Sequence, residues 1–323
     1  MATRKPSEFQ LIERFTSAFR LEGRGVVAGP GDDCALTRPK AGHLLVSKVD
    51  QVVEGVHFTA AFRPEEIGHK ALAVSLSDLA AAGAVPRWFL VAISLRDGIG
   101  AGFVERIARG MSRLADQSGV TLVGGNFTGG AQLSIAVTAL GEVKPKEALR
   151  RSGARPGDRL LVSGVLGEAA LGVAKLAGGR PRRLGRSVLA QLVPVPRVAL
   201  GQVVGRHASA AVDLSDGLLA DLGHLCARSG VGATIDRAAL PLGPEVAALG
   251  PEGALLGLTG GEDYELLLAV PPRQVASLRR AAARVGETLT EIGMLDERPG
   301  IRVLDASGRP MALPGSAGWE HFR

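Results

Sequence analysis

The stretch that most constrains this chain is Lys70–Ala84, KALAVSLSDLAAAGA. Leu72, Leu76 and Leu79 recur at i, i+4 and i+7, the stripe a helix turns toward a core, and small residues fill almost everything between them. The spacing predicts a core helix over 70–84 whose single interior charge is Asp78. A carboxylate on so apolar a helix costs several kcal/mol to desolvate unless something compensates it. No Lys or Arg stands within one helical turn of Asp78, so the partner is either a neighbouring loop that Asp78 caps or a metal ion. Ser75, one turn earlier, shares its face.

A chain of 323 residues, 46% hydrophobic and without a long polar tract, has material for about two domains with separate cores. No long continuously apolar run predicts a membrane span, and Met1–Pro6 has basic residues with no apolar core behind them, so the expected compartment is the cytoplasm. Cys34 and Cys226, the two cysteines, make neither a disulfide framework nor a metal pattern and read as buried small hydrophobes. A net charge of +6 and a pI near 9.8 suit anionic ligands. Aromatic content of 4% with no basic stripe between aromatics excludes nucleic acid as the expected partner.

In chain order, Ser7-Glu8-Phe9-Gln10 reads as a capping box opening a helix with Phe9, Ile12, Phe15 and Phe19 at helical spacing. Ala28–Ala35, AGPGDDCA, is a tight turn presenting Asp32 and Asp33. Leu44–Phe58 is β-branched and alternating, a strand or strand pair carrying Asp50, Glu54 and His57. A strand is expected over Pro86–Arg96, an amphipathic helix over Gly102–Ser118, and a short strand over Val120–Val123. Gly124-Gly125-Asn126 then reads either as an anion-binding nest or as a plain turn. Leu133–Leu140 is another strand, and breaker-rich Ser152–Asp158 marks the boundary between domains over 1–150 and 151–323. Arg159–Ser163 is a strand, Gly179–Arg186 a basic connector, and no GxGxxG or GxxxxGK[ST] fingerprint is present. Ala211–Leu222 places Asp213, Ser215 and Asp216 ahead of Gly217 and a helix, where helix-dipole stabilisation alone accounts for Asp216 and Asp221. Leu258–Val270 sets a Gly-Gly turn and three acids before a strand. Trp319, in the terminal GWEHF, reads either as a tail anchor or as a ring that stacks on a ligand.

The ordered set GPGDDCAL, D-x3-EGVHF, KALAV-x-LSDLAAxGA, VGG-x-x-T, RSGAxPGD, DLSDGLLADLGHL, GGEDYEL and GWEHF spans nearly the whole chain. It resembles the bacterial thiamine-monophosphate kinase family, of the superfamily that includes aminoimidazole-ribonucleotide synthetase. The resemblance implies an α/β (α+β) two-domain synthetase-like fold. Its N-terminal half would bind ATP and Mg2+ and join a second copy in a dimeric β-barrel, and its C-terminal half would be an α/β domain. It implies ATP-dependent phosphorylation of thiamine monophosphate to thiamine diphosphate in a homodimer, with several Mg2+ ions and no covalent nucleophile. The alternatives are another ATP-using enzyme of the superfamily, or a weakened homologue that binds nucleotide or thiamine phosphate. By the resemblance, Asp33, Asp50, Asp78, Asn126, Asp213 and Asp216 hold metal, Gly125, Asn126, Arg151 and Ser215 meet ATP, and His57, Glu262 and Trp319 meet the thiamine phosphate.

The chemistry accommodates that implication. A phosphate monoester is largely dianionic at neutral pH, so its oxygen needs no general base, and the obstacle to in-line transfer is charge repulsion. Three departures from the family pattern bear on it. Lys48-Val49 stands before Asp50 where hydroxyl residues are usual, Asn126 stands where an acid is usual, and Ser75 stands where Asn is common, which together put one metal site in question.

Overall fold

The computed structural model describes residues 7–311. They form a mixed α/β architecture in two compact units, one within Met1–Leu79 and Val85–Pro145, the other within Ala80–Ala84 and Lys146–Arg323.

The first unit runs α1 (Glu8–Thr16), β1 (Val26–Ala28), β2 (Leu36–Thr37), β3 (Leu44–Val53), α2 (Pro64–Ala81), β4 (Val85–Leu95), α3 (Ala101–Ser118), β5 (Thr121–Gly129) and β6 (Ser134–Val143). Its main sheet has the order β3-β6-β4-β5, antiparallel except for the β4–β5 pair. The capping box at Ser7 and Gln10 is present, and Phe15 is buried edge-on to Phe127 with ring centroids 5.6 Å apart. Phe9, by contrast, points to solvent at 81% exposure, and Phe19 lies beyond the helix end. From Ile67 to Ala81 helix α2 is buried on nearly all sides, and Leu72, Leu76 and Leu79 are fully buried. It begins at Pro64 rather than Lys70, because the Glu66 side chain reaches back to the Arg63 N–H (2.7 Å), half of a capping box with no Ser or Thr to announce it. It stops at Ala81, ahead of left-handed Gly83.

Two local expectations are overturned. Gly124-Gly125-Asn126 is neither nest nor turn but the middle of β5, paired in parallel with Leu90, Val91 and Ala92. A Cβ at Gly125 would lie 2.2 Å from the Val91 carbonyl oxygen, so the glycine serves close strand approach. Cys34 is exposed rather than buried, since it follows the acidic turn instead of entering a strand, while Cys226 is buried as expected.

The second unit runs β7 (Arg159–Ser163), α4 (Glu168–Leu176), α5 (Arg186–Leu192), α6 (Val198–Val204), β8 (Ala210–Asp213), α7 (Leu218–Ser229), β9 (Gly232–Asp236), α8 (Pro244–Ala247), α9 (Pro251–Thr259), β10 (Leu266–Val270), α10 (Pro272–Arg284), β11 (Leu289–Asp296) and β12 (Ile301–Leu304). Its six-stranded sheet has the order β12-β9-β11-β7-β10-β8, with only β12 and β9 parallel. Alternate residues of one strand enter different cores. Leu267 and Ala269 pack with Leu218, Leu222 and Leu225 of α7, whereas Leu266, Leu268 and Val270 pack with Leu200 of α6 and Leu278 of α10. The sheet is therefore covered on both faces, which is why β7, β8 and β10 read as unbroken apolar runs.

Candidate active site

In the first unit, Lys48 and Asp50 are two apart on β3 and so share a face of the sheet. Lys48 Nζ lies 3.1 Å from Asp50 Oδ1 and 3.0 Å from Asp78 Oδ2 of α2. Buried Ser75, one turn before Asp78, is within 3.3 Å of both Asp50 Oδ2 and the Val137 carbonyl, so its hydroxyl ties α2 to the middle of the sheet. The three charged side chains keep only 34%, 27% and 25% exposure for Lys48, Asp50 and Asp78. Burial pulls the Lys48 pKa down, but the carboxylates of Asp78 and Asp50 outweigh it and hold the ammonium above its usual range. The cation that Asp78 lacks within one turn of its own helix thus arrives from β3.

The other expected residues of this unit are placed separately. Asp33 is exposed in the bend between β1 and β2, after left-handed Gly31. His57 is half-buried in the turn after β3; its Nδ1 accepts from the Val53 N–H (3.1 Å), which leaves the ring proton at Nε2. Asn126 pairs across the sheet with Ala92, Ala136 and Gln51, whereas Asp50 pairs with Val137 and, through it, Val91 and Gly125. Adjacent rows of a sheet face opposite sides, so Asn126 lies on the face away from Asp50.

In the second unit, buried Asp213 ends β8 and the chain turns through Leu214-Ser215-Asp216-Gly217 into α7. Gly217 has φ 111°, and a Cβ there would meet the Thr259 carbonyl at 2.7 Å. This loop is laced to the GGEDYEL segment. Tyr264 N–H donates to the Leu214 carbonyl, Glu262 N–H to the Ser215 carbonyl and Leu214 N–H to the Glu265 carbonyl, each at 2.8 Å. Glu262 (φ 67°) and Tyr264 (φ 50°) are left-handed without being glycine, a local strain of the kind that collects at functional sites. Gln191 Nε2 holds the Glu262 carboxylate at 2.7 Å, and Asp263 accepts from the Gly167 and Ala169 N–H groups at the start of α4.

Asp221 carries the structural weight of this loop. Fully buried in the first turn of α7, it accepts the N–H groups of Ser215 and Asp216, each at 3.0 Å, with one oxygen. Its other oxygen, Oδ1, is buried with no hydrogen-bond partner. Burial first, and the charges of Asp216 and Asp213 after it, push its pKa up to about 7, against the nearby guanidinium of exposed Arg151. Sequence reasoning assigned Asp221 only to the helix dipole and did not find Gln191. The separation of five and six residues between Asp221 and the loop amides was the available signal for the first.

Among the described residues no three His, Cys, Asp or Glu side chains converge on one point as a ready metal site. The two acid sets answer the question of Mg2+ differently. At Asp50 and Asp78 the space between the carboxylates is taken by Lys48, and the pair does not fit a resident ion. Asp213 and Asp216 do fit, because their charges crowd Asp221 with its orphaned oxygen, and Mg2+ commonly takes one or two carboxylates and completes its shell with water and phosphate oxygens. Trp319 lies outside the described residues.

The sequence matches AIR synthase related protein, N-terminal domain, over residues 31–143 and the C-terminal domain of the same family over 155–306. The thiamine-monophosphate kinase of Haemophilus influenzae is 35% identical over 324 aligned residues, 98% of each chain, and that of Escherichia coli K12 is 37% identical, again over 98% of each. Among solved structures, the thiamine-monophosphate kinase of Stenotrophomonas maltophilia is 41% identical with a TM-score of 0.83, covering 91% of this chain and 95% of that one. AaThiL complexed with AMPPCP and TMP is 29% identical with a TM-score of 0.78 over the whole of both chains. Escherichia coli HypE, 23% identical, shares the fold, with a TM-score of 0.75 over 94% of this chain and 95% of its own. With relatives of this identity aligned from end to end, the chain belongs to the thiamine-monophosphate kinase family of AIR synthase related proteins.

Proposed function

We propose that this chain transfers the terminal phosphoryl group of ATP to thiamine monophosphate, giving thiamine diphosphate and ADP. The observation that carries the proposal is its end-to-end alignment with AaThiL, which was solved with an ATP analogue and TMP bound together. An acceptor phosphate oxygen attacks the γ-phosphorus, a P–O–P anhydride forms, and the bond from the γ-phosphorus to the β,γ-bridging oxygen breaks, leaving its electron pair on ADP. The acceptor is already dianionic, so no side chain has to remove a proton and none forms a phosphoenzyme. Positioning and charge neutralisation are what the protein supplies.

Within that reading Asp213 and Asp216 would hold Mg2+, which when bound neutralises phosphate oxygens. Asp221 fixes the Ser215 and Asp216 amides so that the loop keeps one shape. Ser215 and exposed Arg151 offer a hydroxyl and a guanidinium to the nucleotide phosphates, and by resemblance Gly125 and Asn126 are assigned to ATP and Asp33 to metal. Glu262, steadied by Gln191, and His57, presenting its Nε2–H, are assigned to the thiamine phosphate, together with Trp319. The enzyme would work in the cytoplasm, where ATP is held.

The proposal extends to assembly. β3 is an edge of its sheet among the described residues, and it exposes Leu44, Leu45 and Val49 at 47%, 50% and 61%. An apolar edge with unpaired backbone groups invites covering by a second copy, which is the dimeric barrel the resemblance implies.

Purified protein incubated with ATP, Mg2+ and thiamine monophosphate is expected to yield thiamine diphosphate on chromatography. ADP release without thiamine diphosphate would overturn the acceptor assignment, and competent transfer of label from γ-labelled ATP to the protein would overturn the direct step.

A further inference from the structure

We propose that Lys48 is a built-in cation that occupies the Asp50/Asp78 pair, so that this pair is not a divalent-metal site and the chain holds one metal ion fewer than its acids suggest. The inference rests on the kinase reading only in taking Asp50 and Asp78 to be acids of the phosphate side.

Three observations carry it. Lys48 Nζ stands almost equidistant from one oxygen of each acid, 3.1 Å from Asp50 Oδ1 and 3.0 Å from Asp78 Oδ2. That is the bridging position a divalent ion would need, and Mg2+ binds oxygen at about 2.0–2.1 Å, so ammonium and ion exclude each other there by volume as well as by charge. The second Asp50 oxygen is taken as well, by the hydroxyl of Ser75, which also touches the Val137 carbonyl. Finally, Lys48 and Asp50 stand two apart on one strand, so the backbone of β3 builds the contact in rather than leaving it to a passing surface side chain.

The charge balance makes the consequence specific. Two carboxylates with one ammonium leave one net negative charge, whereas two carboxylates with Mg2+ leave none. The Lys48 charge is thereby spent on the acids, and neutralisation of phosphate falls to the other residues and ions of the enzyme.

The test counts ions rather than turnover. Mn2+ bound per chain is measured by loss of the free-ion electron paramagnetic signal, with saturating AMPPCP and no acceptor. The natural protein and Asp50→Asn are expected to bind equal numbers of Mn2+, and Lys48→Met to bind one more per chain. Loss of one ion in Asp50→Asn, or no gain in a folded Lys48→Met, would overturn the proposal. Should Lys48→Met fail to fold, Asp50→Asn decides alone. Because no phosphoryl transfer is read, failure of the kinase assignment would leave this result unchanged and be seen separately in the chromatographic assay.

Discussion

Asp50 and Asp78 in the first unit, and Asp213, Asp216 and Asp221 in the second, are both sets of carboxylates drawn away from water, and they are compensated in different ways. In the first, Lys48 bridges the acids and its own pKa rises against burial. In the second, the answer to the buried charge is a pair of backbone N–H groups on one oxygen of Asp221, with the guanidinium of Arg151 as a weaker influence, and the Asp221 pKa climbs to about 7. Charge satisfied in place serves packing, whereas charge left under-compensated is a standing attraction for a cation brought in with a nucleotide.

The sharpest way to break this contrast is Asp213→Asn. If the second set is where charge is held ready for a bound ion, the variant should lose about 100-fold or more in kcat, the scale seen when a preorganised electrostatic contact is removed. Its melting temperature should hold or rise, since one of the charges pressing on Asp221 is gone. A variant that melts far lower while keeping near-normal turnover would make Asp213 a structural acid and dissolve the distinction.

The next effect is one of pH. Asp221 and Asp263 both have pKa values raised to about 7 by burial, and burial raises that of Glu168 as well. A carboxyl group with a folded pKa above its unfolded value of about 4 binds more protons in the folded state between those limits, so stability falls as pH rises through that window and levels off above about 7. In the first unit, Glu54 and Glu65 are held below the usual range chiefly by hydrogen bonds from Arg96 and Arg106. Burial pushes Glu142 the other way, but the Lys40 N–H and Arg87 outweigh it. Their contribution is lost only below about pH 4.5. With EDTA present, unfolding by denaturant should therefore show stability dropping by a few kcal/mol between pH 5 and 8. A flat profile there would mean that the second set is compensated after all.

A double-mutant cycle sharpens the other side. Lys48→Met should destabilise the chain by about 1–2 kcal/mol, after allowance for the third of its side chain that remains exposed. Repeated in an Asp78→Asn background, the same change should cost less, with a coupling of about 1 kcal/mol. Strict additivity would show that the ammonium and the Asp78 carboxylate do not sense each other.

How much of this could be read beforehand depended on the range of the interaction. α3, β4, β6, β7 and β10 follow patterns carried within their own residues, and each was legible to within a few positions. The motif order likewise pointed to the two-domain α/β fold. Illegible were features in which one segment answers another. Gly124-Gly125-Asn126 looks like a turn until β4 is laid beside it, because glycines for close strand approach and glycines for turning are identical letters. Asp78 looked uncompensated because its cation sits on a distant strand, and α2 looked short because the Glu66 side chain caps it at the Arg63 N–H with no Ser or Thr to announce the cap. Of the site, the acids were legible as residue types, but which were already neutralised was not.

The smallest effect is expected at Asn126, and it is the most discriminating for that reason. From sequence, an Asn where an acid is usual suggests a weakened metal site that Asn126→Asp would repair. Two unit charges about 4 Å apart at an effective dielectric near 20 interact by about 4 kcal/mol, so a repair at close range would be plain to see. Across the sheet, however, Asn126 aligns with Ala92, Ala136 and Gln51, while Asp50 aligns with Val137, Val91 and Gly125, and the two rows face opposite sides. A new carboxylate at 126 would point away from the Asp50/Asp78 pair, into solvent whose dielectric and salt screen it. Asn126→Asp should therefore shift the Mg2+ concentration for half-maximal activity by less than about twofold, or roughly 0.4 kcal/mol. Lys48→Met, which opens the pair itself, should shift it more. A tenfold gain from Asn126→Asp, with Lys48→Met silent, would mean that the acids of the first unit await an ion after all and that the contrast between the two sets is wrong.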